Sequence, residues 1–144
     1  MTQPKPTLPH HNNGAKGNVL GVIHLVGAPE SARTARDFVK QALGANHPAL
    51  DAVVLLVSET ITNAVIHSNS RDGGRVTLTL IDCNDLIHID VADAGGTTIP
   101  HVRGGLLDEG GRGLMLVDAI SQHWAVVERE EGRTLWFQVP CTPT

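Results

Sequence analysis

Apolar positions along the chain change period several times, and each change marks an element. V-L-G-V-I-H-L-V, residues 19 to 26, is a β-branched run of strand length. Gly27-Ala28-Pro29-Glu30-Ser31 then turns the chain, with Pro and Glu suited to the first turn of a helix. That helix runs through about Leu43 with Ala32, Ala35, Phe38, Val39 and Ala42 at helical spacing, and Gly44 ends it. A longer helix is predicted from Pro48 to about Ser68, apolar at Leu50, Val53, Val54, Val57, Ile61, Ala64 and Val65.

After a turn at Ser70-Arg71-Asp72-Gly73-Gly74 the period becomes two. R-V-T-L-T-L-I-D (75 to 82) and L-I-H-I-D-V-A-D (86 to 93) alternate about Cys83-Asn84-Asp85, which predicts an antiparallel hairpin. Residues 94 to 111 hold six Gly, one Pro and two Thr, a loop long enough to suggest function. A helix resumes over Arg112 to Ser121. W-A-V-V-E-R (124 to 129) and T-L-W-F-Q-V (134 to 139) form a second hairpin across 130 to 133, and Pro140 stops it.

Hairpins dominate this order and the helices segregate to one side. The expected class is α+β: a two-layer α/β sandwich with a mixed, mostly antiparallel sheet covered on one face by three helices. Residues 1 to 17, with three Pro, two Gly and two Asn, are expected to be a disordered tail. Residues 18 to 141 are expected to form one domain, and 144 residues suit a single core.

Composition narrows the function classes. Aromatics are 3% with no Tyr, so the core must be aliphatic. A net charge of -4 argues against nucleic acid as the main partner. No apolar run approaches the roughly 18 residues of a membrane span, and no signal peptide is visible. Two cysteines without metal spacing make neither a zinc site nor a disulfide framework, so the expected compartment is the cytoplasm.

The candidate chemistry begins at S-E-T-I-T-N-A-V-I-H, residues 58 to 67. Glu59, Asn63 and His67 recur every four residues and form one polar stripe on an otherwise apolar helix. A solvated face is the ordinary explanation of such a stripe. One histidine is too few for a zinc motif of two His a turn apart. A carboxamide beside a carboxylate suits other chemistry. Asn63 offers magnesium a neutral oxygen, and Glu59 is placed to deprotonate an attacking hydroxyl. A phosphate site is then needed. E-G-G-R-G-L-M-L-V (109 to 117) supplies glycines that open a helix, whose free N–H groups and dipole favour phosphate. Asp93, closing a strand before Gly95, is turn chemistry on the plain reading and an acceptor for an exocyclic amine on the functional one. No P-loop and no dinucleotide fingerprint is present.

These motifs, in this order, resemble the ATP-binding (Bergerat) fold of the gyrase, heat-shock chaperone, histidine kinase and mismatch-repair ATPases. They are most similar to its small bacterial branch, the anti-sigma factor serine/threonine kinases. S-E-T-I-T-N-A-V-I-H resembles that branch's N-box, D-A-G-G-T its adenine box, E-G-G-R-G-L-M-L-V its phosphate box, and G-R-T-L-W-F-Q-V-P its closing strand. The resemblance implies ATP and magnesium as cofactors, Glu59 as general base, and Asn63 as the metal ligand. It also implies Asp93 on the adenine amine, Gly95 and Thr134 beside the base, and Gly111, Arg112, Gly113 and Leu114 along the phosphates. His67 receives no role. The adenine box departs from the usual pattern at Gly96 and Thr97, and the lid from Thr97 to Glu109 is short, with only Arg103 and His101 as candidate phosphate contacts.

The implied partners are a sigma factor and a small antagonist protein phosphorylated on Ser or Thr, with no nucleic acid and no membrane. A homodimer is expected, and strand 19 to 26 is compatible with an exposed edge. The alternative function is a nucleotide-dependent protein-binding switch without phosphotransfer. A detached histidine-kinase catalytic domain is disfavoured by the lack of a preceding helical hairpin with an acceptor His.

Overall fold

A computed structural model describes residues 17–67, 75–93, 111–129 and 132–141. The expected N-terminal tail (all but Gly17), the turn at 70–74 and the glycine-rich loop up to Gly110 lie outside the described residues. So do the adenine-box positions Gly95, Gly96 and Thr97 and the lid residues His101 and Arg103.

The elements run β1 (Asn18–Val26), α1 (Ser31–Leu43), α2 (Leu50–His67), β2 (Arg75–Asp82), β3 (Leu86–Asp93), α3 (Gly111–Ile120), β4 (His123–Arg129) and β5 (Gly132–Pro140). The five strands form one sheet in the order β1-β2-β3-β5-β4. Every pair is antiparallel among the described residues, so the expected α+β sandwich is present and its sheet is wholly, where mostly was expected, antiparallel. The reason lies in the connections. β1–β2, β2–β3 and β4–β5 each join strands that follow one another in the chain. The passage from β3 through α3 brings β4 in beyond β5, which leaves β5 antiparallel to both its neighbours.

Alternation along the strands separates two faces. Val76, Leu78 and Leu80 of β2, Ile87, Ile89 and Val91 of β3, and Phe137 and Val139 of β5 are buried in one core cluster with the helices. α2 runs between α1 and α3 over the sheet and buries Val53, Leu56, Val57, Ile61, Ala64 and Val65, which explains why its sequence is apolar around most of its circumference. α1 buries Ala35 and Val39 and stops at Gly44, whose φ of +92° is cheap for glycine and whose N–H donates to the Lys40 carbonyl at 2.9 Å.

Two local devices set the sheet's geometry. A bulge at Leu20 shifts the β1–β2 register between Val19 and Gly21. At Gly21 a Cβ would come within 2.9 Å of the Phe38 ring, so the missing side chain lets α1 lie close on β1. The β2–β3 turn places Asn84 at a φ of +80°, a conformation Asn tolerates, with its N–H donating to Asp82 Oδ1 at 2.8 Å. β5 starts two residues earlier than the alternation suggested, at Gly132, and this extension carries Arg133 into the sheet opposite Asp93.

Candidate functional site

A cleft of about 440 Å³, part of it open to solvent, lies where α2, the start of α3 and the ends of β3, β4 and β5 converge. Ala64, Val91, Leu114, Val126 and Leu135 give it apolar walls, and four polar side chains face into it: Thr60, Asn63, Asp93 and Arg133.

The helical spacing that places Asn63 in the cleft also brings Thr60 and Ala64, since residues three and four apart share a face. Thr60 is 4% exposed, and its hydroxyl donates to the Leu56 carbonyl at 2.8 Å and contacts that of Val57 at 3.3 Å. It therefore forms a floor whose hydroxyl is already used within the helix. Glu59 is half-buried one turn before Asn63, and it is not among the residues lining the cleft. The backbone of α2 extends to His67, whose side chain lies outside the described residues.

Asp93 is the last residue of β3 and sits on the helix-covered face, 8% exposed. Its register partner across β5 is Arg133, and the Arg133 Nη2 donates to Asp93 Oδ2 at 3.4 Å. Both side chains are close to fully buried, at 10% exposure for Arg133 and 6% for Asp93. Leu135 follows on the same face two residues along, and it too lines the cleft.

Thr134, expected beside the base, falls between these two residues. It pairs with Ala92 and Val127, and strand alternation turns its side chain to the opposite face of the sheet. The polar contribution of β5 to the cleft is thus made by Arg133, one residue earlier. Arg133 and Thr60 were both missed in the sequence. Arg133 is brought in by the pairing of β3 with β5, which sets Thr134 against Ala92 and residue 133 against Asp93, and no local sequence pattern signals that pairing. Thr60 was hidden by its neighbours, since a threonine next to a Glu–Asn stripe reads as part of a wet face.

The backbone of α3 begins at Gly111, so the glycines at 111 and 113 fall in its first turn. The side chain of Arg112 lies outside the described residues, while Leu114 is half-buried and reaches the cleft. α3 is fixed against β4 by Trp124 Nε1 donating to Asp118 Oδ1 at 2.9 Å. Among the described residues, no three His, Cys, Asp or Glu side chains come together as a metal cage. With Asp93 engaged by Arg133, the cleft's neutral donor is the Asn63 amide, and a single neutral ligand fits a magnesium ion that takes its other ligands from phosphate and water. Among the same residues, no helix is long and apolar enough to cross a membrane.

No curated protein matches the chain. Residues 25–139, from the end of β1 to the end of β5, match the family described as the histidine kinase-like ATPase domain, and that span contains every polar residue of the cleft. Membership of that family implies ATP binding, usually with magnesium. With most of its length matched, and with the five-stranded sheet and three helices in place, the chain belongs to the histidine kinase-like ATPase domain family.

Proposed function

We propose that the chain is a cytoplasmic anti-sigma factor kinase that phosphorylates a small antagonist protein on Ser or Thr. It holds a sigma factor in one nucleotide state and modifies the antagonist in another. The observation that carries this reading is the meeting of Asn63 and Asp93 in one cleft, with Glu59 one helical turn before Asn63.

The chemistry is divided among a few residues. Asp93 accepts a hydrogen bond from the exocyclic amine of adenine. Asn63 gives its amide oxygen to magnesium. The N–H groups at Gly111 and Gly113, at the start of α3, point positive dipole ends at phosphate. Bound magnesium–ATP supplies a γ-phosphoryl group whose charge is partly neutralised. Glu59 takes the proton from the Ser or Thr hydroxyl as the new O–P bond forms and the bond to the β–γ bridging oxygen breaks, so that ADP leaves. The active form is a homodimer, for which the edge strand β1 offers the exposed Val19, Val22 and Val26.

Glu59→Ala tests the catalytic half. Transfer of the γ-phosphate from ATP to the antagonist should fall by about 10²–10⁴-fold while ATP affinity holds. Unchanged transfer removes Glu59 as the base. A second reading, a nucleotide-dependent protein-binding switch without phosphotransfer, is favoured by the position of Glu59 outside the cleft lining. Under that reading the unaltered chain makes no phosphoprotein, and Glu59→Ala leaves ATP-dependent partner binding intact.

A further inference from the structure

The ion pair between Asp93 and Arg133 puts a cation where a single carboxylate would suffice to hold an amine. Three observations make this more than a structural pairing. Both groups line the cleft, at 6% and 10% exposure, so a bound ligand meets both at once. Their separation of 3.4 Å is longer than the 2.7–2.9 Å usual for a charge-assisted hydrogen bond. In the next strand Glu128 stands opposite Arg133 in register and is exposed, so the guanidinium has a second carboxylate in its row when a ligand occupies Asp93.

An acid and a guanidinium side by side form an acceptor next to a donor. The edge of adenine is the complement: its exocyclic amine donates, and the ring nitrogens on either side of it accept. From this match we infer that Arg133 is a base-specificity residue, donating to the ring nitrogen next to the amine that Asp93 accepts from. The inference rests on the nucleotide reading of the cleft and goes beyond it, because it gives the base two protein contacts instead of one. It also gives the pair a reason to be buried, since a buried ion pair as a whole adds little stability over apolar residues once desolvation is counted.

The test is a ligand–protein double-mutant cycle read by calorimetry, using ATP, 1-deaza-ATP and 7-deaza-ATP, with adenosine as a phosphate-free control. One of the two deaza analogues should bind the unaltered protein about tenfold more weakly than ATP, as expected for losing a hydrogen bond to a charged group. Arg133→Ala should weaken ATP by a similar factor and abolish the discrimination between ATP and that analogue. The arm with unaltered protein needs no variant, so a poorly folding Arg133→Ala leaves the test intact, and Arg133→Lys, which keeps the charge but not the planar fork, should retain only part of the discrimination.

Equal binding of all three nucleotides to the unaltered protein overturns the inference while leaving ATP binding in place. A gain of ATP affinity in Arg133→Ala overturns it by making Arg133 a competitor for Asp93. Loss of ATP affinity with unchanged adenosine affinity overturns it by assigning Arg133 to phosphate. Failure of the unaltered protein to bind ATP at all defeats the nucleotide reading itself, a distinct outcome.

Discussion

Two carboxylates three residues apart on β3 have opposite fates. Asp90 lies on the sheet face away from the helices, where His88 Nε2 donates to its Oδ1 at 2.9 Å and Gln138 Nε2 donates to His88 Nδ1 at 3.0 Å. The His88 ring stacks on Trp136 at a centroid distance of 5.5 Å, and both rings are nearly buried. Asp93 lies on the other face, meets its basic partner at 3.4 Å, and opens on a cleft. Both acids have a partner across or along the same strands. The difference is that Asp90 belongs to a short-bonded chain that runs through a stacked ring to Gln138, whereas Asp93 has a long bond to Arg133 and lines a cleft. A short-bonded network specifies a fold, and an ion pair that lines a cleft is placed to meet a ligand.

That contrast predicts opposite responses to the same mutation. Asp93→Asn should weaken ATP by roughly 10- to 150-fold, the worth of a hydrogen bond to a charged group at 1.5–3 kcal/mol. Asp90→Asn should leave ATP affinity unchanged in the same calorimetric titration. Equal losses would end the distinction. His88→Ala should do the reverse, costing about 1–3 kcal/mol in urea unfolding by stranding the polar groups it joins, with no effect on nucleotide.

Thr60→Val sharpens the comparison within the cleft itself. Because its hydroxyl already serves the Leu56 carbonyl, losing it should cost about 1 kcal/mol of stability and leave ATP affinity intact. A fall in affinity would add Thr60 to the ligand contacts. The smallest effect belongs to the sheet end remote from the cleft. There burial, aided by the charges of Asp82 and Asp85, pushes the Cys141 thiol up from its ordinary range. The folded protein then holds this proton more tightly than the unfolded chain, so the stability it contributes is present below the thiol's ordinary pKa and is lost as pH rises past it. Alkylation of Cys141 at neutral pH should be slower than that of a free thiol.

How far the sequence reveals this molecule differs between fold and site. Strong local periods placed the β2–β3 hairpin at its observed ends and the helices within two residues, because alternation and helical spacing are local signals. The wholly antiparallel sheet was less legible, since the side of β5 on which β4 lands depends on a crossover that no local pattern encodes. At the site, Asn63 stood out as part of a polar stripe on an apolar helix and Asp93 as the close of a strand before Gly95, and the two share a cleft. Arg133 did not stand out, because one residue of strand phase decides which face a side chain takes and the turn at 130–133 blurred that phase. Gly95 and the lid fall outside the described residues.

The central claim is that the cleft between α2 and the ends of β3 and β5 binds magnesium–ATP. Thermal unfolding tests it most directly, because a ligand that binds only the folded state raises the melting temperature by mass action. Millimolar ATP with magnesium should raise it, and Asn63→Ala should remove most of the magnesium-dependent part while keeping the remainder. No shift at millimolar ATP, in a protein shown to be folded, would contradict the account.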